Sequence, residues 1–253
     1  MNGLQQATTR ALRLLAPNPS PMTLDGTNTW VLREPGAAGS VVVDPGPLDE
    51  GHLARIAEHG PVQLIVLTHG HLDHSEGAPR LHQLTGAPVL ARDPALCIDI
   101  DPLQEGKATP VDGLDWLTVL TPGHSSDSVC LLLPADRALL TGDTVLGRGT
   151  TVVAPPDGRL SEYLDSLERL RDLADNDIDV LLTGHGPVLD SPAEVLDYYL
   201  RHRKERLEQV RAALAAGDND AAAVVRRVYA DVDPALWPAA EMSVRAQLEY
   251  LNA

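Results

Sequence analysis

Short apolar runs alternate with longer amphipathic stretches along most of this chain, and the two periods separate its elements. Residues 30–33 and 40–44 read as short strands around a Pro-Gly-rich turn. Residues 48–59 place Leu53, Ile56 and Ala57 at helical spacing and stop at Gly60. The run 62–68 reads as a buried strand by its length and branching. A helix is expected over 75–85, ending at Gly86, with short strands at 88–91, 116–120, 128–133 and 138–141. Leu160, Leu164, Leu167, Leu170 and Leu173 share one side of a helix over 160–174, and 179–183 returns to strand. This mixture predicts an α/β fold.

From residue 191 the pattern turns helical, over 191–216, 220–230 and 238–251, with turns at Gly217-Asp218 and Asp233-Pro234. The charge changes as well. Residues 1–197 carry 12 basic and 28 acidic side chains, whereas 198–253 carry eight of each. Two units are therefore expected, an acidic α/β one at 1–197 and a helical one at 198–253, with a long helix bridging them. No internal repeat or low-complexity tract is present.

Composition narrows the class. The chain has 253 residues, is 43% hydrophobic and carries a net charge of −16, which argues against disorder and coiled coil. It contains no Phe, so the core must be built from Leu, Val, Ile and Ala. The charge opposes general nucleic-acid binding, and double-stranded DNA is not expected as a partner, because non-specific affinity comes from neutralising phosphates. A local basic patch is not excluded by that argument. No run approaches the ~18 apolar residues of a membrane span. The N-terminal stretch lacks the continuous apolar core of a secretory signal. Two cysteines cannot build a disulfide framework, so a reducing cytoplasm is the expected location. A monomer and a homodimer both suit this composition.

The chemistry is concentrated after the strand 62–68. The segment His69-Gly70-His71-Leu72-Asp73-His74 packs four metal-competent side chains into six residues. Spacing i, i+2 puts His69 and His71 on one side of an extended segment. One ion cannot comfortably take all four from so short a loop, so two adjacent metals are the better reading. Three further strand ends repeat the pattern: Pro122-Gly123-His124, Gly142-Asp143 and Gly184-His185-Gly186. Glycine beside each donor lets the backbone approach closely. Imidazole and carboxylate donors suit Zn²⁺, and Mn²⁺ or Fe²⁺ fit the same donors.

These residues resemble the signature of the metallo-β-lactamase superfamily, His-x-His-x-Asp-His followed by His, Asp and His, and all seven positions match. The resemblance implies an αββα sandwich. It implies one metal on His69, His71 and His124, a second on Asp73, His74 and His185, and Asp143 bridging both. Asp44 resembles the residue that supports the ligand loop from behind. Asp143 stands where the penicillin-opening zinc enzymes usually carry Cys, so true β-lactamase activity is not expected. His71 stands where flavodiiron relatives carry Glu, which disfavours a di-iron oxygen-reducing site.

A narrower resemblance is carried by residues 18–30 (NPSPMTLDGTNTW), 121–127 (TPGHSSD) and 184–188 (GHGPV). They resemble the beta-lactamase-like protein 2 family. In that family the catalytic domain is followed by a small helical, winged-helix-like domain, which 198–253 would form, although no β wing is evident. Animal members act on single-stranded RNA as endoribonucleases, and fungal relatives are thioesterases. The resemblance thus implies a dinuclear-zinc hydrolase using a metal-bridging hydroxide, with Asp73 as the catalytic proton acceptor. Single-stranded RNA is weighed first as substrate. A thioester, or another small ester or lactone, is weighed second. A non-catalytic binding protein would be signalled by a lost ligand, and none is lost.

Two further groups are candidate substrate contacts. Thr27, Asn28 and Thr29 are placed to donate hydrogen bonds beside the metals, or else to brace their own turn. Arg203 and Lys204 belong to the basic run Arg201-His202-Arg203-Lys204 with Arg206, which reads as a phosphate-contacting patch or as a solvated helix face paired with Glu205 and Glu208. Trp237 is expected in the core of the helical unit, and Cys130 is expected to be inert. His52, His59 and His82 carry no partner pattern.

Overall fold

The computed structural model describes residues 4–106 and 110–252. In chain order the elements are β1 (Leu4–Gln6), β2 (Ala11–Leu15), β3 (Asn28–Leu32), β4 (Ser40–Val43), α1 (Glu50–Glu58), β5 (Val62–Val66), α2 (Leu72–Ser75), α3 (Ala78–Thr85) and β6 (Val89–Leu90). There follow β7 (Leu117–Leu120), β8 (Val129–Leu133), β9 (Ala138–Gly142), α4 (Leu160–Ala174), β10 (Val180–Thr183), β11 (Leu189–Asp190), α5 (Pro192–Ala215), α6 (Ala221–Val228) and α7 (Trp237–Asn252).

The strands form two sheets, β1-β2-β3-β4-β5-β6 and β11-β10-β9-β8-β7. The first is antiparallel through β4 and parallel across β5 and β6. In the second, only β9 and β10 run parallel. Side chains alternate across each sheet. Val41 and Val43 point inward with Trp30, Leu64 and Val66, against Leu131, Leu140 and Leu182 of the other sheet. Val42 faces outward with Val31 and Ile65, onto Leu53, Ile56 and Leu81 of α1 and α3. On the far side, Cys130, Leu139 and Leu181 meet Tyr163 and Leu167 of α4 and Leu196 and Tyr199 of α5. The architecture is the expected αββα sandwich. Central strands covered on both faces read as continuous apolar runs, which is why they stand out in the sequence.

β1 and β2 lie outside the elements that the sequence pattern predicts. Gln5 is exposed and the faces of β2 are only partly buried, so neither strand shows a clear period. Pairing with β3 places them.

α5 runs unbroken from residue 192 to 215. Its first half packs on the second sheet, and Val210 and Ala213 of its second half join Val224, Val225, Ala240 and Val244 of α6 and α7. Trp237 packs against that cluster, and its Nε1 donates to the Val232 carbonyl at 3.1 Å. No strand follows β11 among the described residues. Among them, no helix is long and apolar enough to cross a membrane.

The loops after β5, β7, β9 and β10 converge at one edge of the sandwich, and the bridge Thr27–His185 ties the two sheets together there. Loops at the carboxyl ends of strands are the usual place for a site in such sheets.

Candidate metal centre

His69 and His71 lie in the loop between β5 and α2, and Asp73 and His74 sit in the single turn α2. His124 comes from the loop after β7, Asp143 from the end of β9 and His185 from the end of β10. These seven side chains meet. Donor atoms of His69, His71 and His124 lie within 4.8 Å of one another, as do those of His69, His74 and Asp143, and those of Asp73, His74 and His185. Close approach depends on glycine. A Cβ on Gly184 would lie 2.7 Å from Asp143 Oδ1, and one on Gly142 would lie 2.6 Å from Thr68 Oγ1.

The rings face each other through their nitrogens. His71 Nδ1 lies 3.0 Å from both His69 Nε2 and His124 Nε2. His74 Nε2 lies 3.1 Å from His185 Nε2. Asp143 sits between the groups, with Oδ1 3.4 Å from His74 Nε2 and Oδ2 at 3.4 Å from His185 and 3.8 Å from His124. Asp73 Oδ2 is 3.1 Å from His185 Nε2.

The outward-facing nitrogens are held from behind. His124 Nδ1 lies 2.8 Å from the Val152 carbonyl, His185 Nδ1 3.2 Å from the Gly26 carbonyl and His74 Nδ1 2.8 Å from Asp44 Oδ2. Each of these oxygens can accept a hydrogen bond from Nδ1–H, and the tautomer that donates it leaves the Nε2 lone pair aimed into the centre. Asp143 Oδ1 is buried without a hydrogen-bond partner. Converging lone pairs and an orphaned buried carboxylate oxygen repel one another unless a cation lies among them, so the donor set fits a divalent metal.

The surrounding charges also favour a cation at this point. Burial opposes ionisation of Asp143, but the His74 and His185 rings outweigh it and hold the carboxyl well below its usual range. Burial likewise opposes charge on His185, yet Asp143 and Asp73 push that ring up to about 9. His69 is driven well below its usual value by burial and by His74. The two carboxylates thus make the centre favourable to positive charge, whether on a ring or on a metal ion.

Asp44 accepts the Thr68 backbone N–H through Oδ1 at 2.8 Å and the Thr68 hydroxyl through Oδ2 at 2.7 Å, while Oδ2 also faces His74. It does so at φ 52°, in the left-handed region that few non-glycine residues adopt.

The candidate substrate contacts fare differently. Thr27, Asn28 and Thr29 are fully buried. Thr27 Oγ1 donates to the Asp73 carbonyl, Asn28 Nδ2 to the carbonyls of Thr183 and Gly186, and Thr29 Oγ1 to the Asp44 carbonyl. All three brace the ligand loops from within, and none is exposed. The basic run is also split, because successive helical residues point about 100° apart. Arg201 and Lys204 face solvent, whereas Arg203 is 4% exposed and donates to the Thr151 carbonyl. Arg203 is therefore no part of an exposed patch, although it lines the cleft beside His124 and Asp143.

His52, which carries no pattern in the sequence, lies buried against Thr29, with Nε2 2.9 Å from the hydroxyl. Burial, then Arg55, lowers it to about 4. Cys130 is buried, which pushes its thiol up to about 11. Asn18 also escapes sequence reasoning: its side chain bonds both the Thr27 backbone N–H and the Thr27 hydroxyl. No local period marks these contacts, because partners 9 and 23 residues apart meet only when the chain folds.

A cleft of about 420 Å³ opens beside His124 and Asp143, walled by Met22, Leu24 and Leu146 and by Tyr198, Tyr229 and Leu236 of the C-terminal region. A wider, more polar cleft of about 740 Å³ reaches His71 from the other side and is lined by Arg92, Asp93, Asp127 and Asp157.

Comparison with known proteins agrees with this geometry. Residues 22–185 match the family model of the metallo-beta-lactamase superfamily, and 221–253 match the beta-lactamase associated winged helix domain. The beta-lactamase-like protein 2 homolog of Drosophila melanogaster is 32% identical over 97% of this chain and 88% of its own. The atrochrysone carboxyl ACP thioesterase of Aspergillus fumigatus is 34% identical over 81% of this chain and 65% of its own. A metallo-beta-lactamase family protein from Thermus thermophilus superposes with a TM-score of 0.80 at 24% identity, covering 95% of this chain and 92% of that one. A match to most of the catalytic fold, together with a relative aligned along nearly its whole length, places the chain: it belongs to the metallo-beta-lactamase superfamily, in the family of the beta-lactamase-like protein 2 homologues.

Proposed function

We propose that this metal-dependent hydrolase cleaves a thioester or related ester of an apolar acyl group. His69, His71 and His124 would hold one divalent ion, Asp73, His74 and His185 a second, and Asp143 would face both. Two Zn²⁺ suit these donors best. Bound there, the metals would supply Lewis acidity and a nucleophile at neutral pH.

The observation that carries the substrate reading is the cleft beside Asp143, whose walls are mainly aliphatic and aromatic. Its volume suits a small acyl body, and apolar walls with a few polar groups are usual for small-molecule sites. Asp73 lies at the partly open side of the centre, with Oδ2 in reach of His185 Nε2. That oxygen can take a proton from water and return it to the leaving group. The likeness to the Aspergillus thioesterase supports the same reading.

Single-stranded RNA, weighed first on the sequence, becomes the second reading. Its support is that Arg148, Arg203 and Arg206, with His202, line the same cleft. Against it, Arg148 is paired with Asp25 at 2.6 Å, and the Arg206 guanidinium lies 4.5 Å from the centre of the Tyr229 ring. The net charge of −16 also opposes a polyanion.

The test is a paired assay on zinc-loaded protein and Asp73→Ala. One substrate is an apolar acyl-thioester read by a thiol reagent, and the other a fluorophore-quencher single-stranded RNA. Thioester turnover lost in the variant is expected. RNA cleavage lost in the variant, without thioester turnover, would overturn the order of the two readings.

A further inference from the structure

The segment 143–152, which begins with Asp143 and ends beside His124, is a strap over the second sheet held by side chains from α4 and α5. Tyr163 OH of α4 donates to the Thr144 carbonyl at 2.7 Å, and Tyr199 OH of α5 accepts the Leu146 backbone N–H at 2.9 Å. Arg203 of α5 is a third anchor, donating through Nη2 to the Thr151 carbonyl. Its guanidinium carbon lies 4.9 Å from the centre of the Tyr163 ring. On the other side of Thr151, the hydroxyl donates to the Asp143 carbonyl at 2.8 Å, and the next carbonyl, of Val152, accepts from His124 Nδ1 at 2.8 Å.

We infer that Arg203 is a positioning residue for the metal centre, orienting Asp143 and His124 together through Thr151 and Val152. The inference rests on the two-metal reading of the site. One observation separates it from ordinary packing. Arg203 Nε is buried without a partner. Desolvating a guanidinium that is incompletely bonded is costly, and an apolar side chain of similar length would fill the space without that cost. The charge contributes where it is spent, on the Thr151 carbonyl and the Tyr163 face. Arg203 also lies in the first half of α5, whose second half carries α6 and α7. The C-terminal helices and two metal ligands are thereby joined through one side chain.

The experiment titrates metal-free protein with Co²⁺ and follows its ligand-field spectrum, alongside thermal melts. Arg203→Met keeps length and removes the guanidinium. It is expected to melt as a folded protein and to bind Co²⁺ about tenfold or more weakly, the scale on which outer partners of metal ligands act. Arg203→Lys should recover part of that loss. Thr151→Val cuts the hydroxyl link to Asp143, and the double variant should bind little worse than either single one, because both act on one path. Unchanged Co²⁺ affinity and spectrum in a folded Arg203→Met overturn the inference, as do losses that simply add. If Arg203→Met does not fold, Arg203→Lys and Thr151→Val carry the test, and wild-type behaviour in both overturns it. Wild-type protein that binds two Co²⁺ while the variants match it removes only the role of Arg203. Wild-type protein that binds none removes the two-metal reading as well.

Discussion

Asp44 Oδ2 stands 2.8 Å from His74 Nδ1, and the same carboxylate takes both the backbone N–H and the hydroxyl of Thr68, the residue before the first ligand. One buried side chain thus orients a ring and fixes the start of the ligand loop. Asp44→Asn keeps a residue type that tolerates the left-handed backbone at this position, yet removes the charge facing His74. A roughly 10–100-fold fall in metal affinity is expected, by competition with a chromogenic chelator, with the fold retained. Unchanged affinity would show that His74 needs no such partner.

Asp143 touches both ligand groups, and no other carboxylate lies within ion-pair distance of His74, His124 and His185 together among the described residues. Asp143→Asn should therefore cost more metal than Asp44→Asn does. Elemental analysis after gel filtration should show about one ion or fewer per chain, and hydrolysis should fall roughly a hundredfold or more. A variant with full activity would remove Asp143 from the centre.

Thr29 distinguishes a bracing role from substrate contact. It is fully buried, and its hydroxyl bonds the Asp44 carbonyl and the His52 ring. Thr29→Val keeps the shape and leaves both partners unsatisfied. Stability to urea should fall by about 1–3 kcal/mol, with KM unchanged. A raised KM at unchanged stability would instead return Thr29 to the substrate site.

His52 gives a pH signature away from the metals. Its folded value is about 4, against 6.5 for the free ring, because burial and Arg55 disfavour the imidazolium. Between those values the unfolded chain binds the proton and the folded chain does not. Stability is thus highest above about pH 6.5, falls as pH drops toward 4 and then levels, by up to about 3 kcal/mol from this group. His52→Gln should flatten the pH 4–6.5 slope of urea midpoints. An unaltered slope would assign it to other groups.

Chelation should destabilise the whole sandwich edge, because ligands from four separate loops lose their common partner. A lower Tm in chelator, restored by added Zn²⁺, is expected. Identical melts with and without chelator would mean that the loops are held by their hydrogen bonds alone.

The central strands and the ligand set were legible in the sequence for definite reasons. β4 and β5 are covered on both faces, so Val41, Val42, Val43, Leu64, Ile65 and Val66 form unbroken apolar runs. The ligands concentrate because one loop after β5 supplies four of them, and metal chemistry restricts the residue types. Short polar β1 and the partly buried β2 had no such signature; they form by pairing in the sheet.

What the sequence by itself determined was therefore an α/β fold, narrowed to the αββα sandwich by family resemblance, and the seven metal-competent side chains with their local spacing. Tertiary structure alone decided which polar residues serve those seven. Thr27, Asn28 and Thr29 are buried as braces because their partners lie in loops up to 158 residues distant, as for Asn28 and Gly186. Arg203 and Lys204 are neighbours in a basic run, yet one is buried on Tyr163 and the other faces water. Residue type and local spacing are written in the chain. The direction of a side chain on a helix, and the carbonyl it finds, depend on which face the rest of the fold covers.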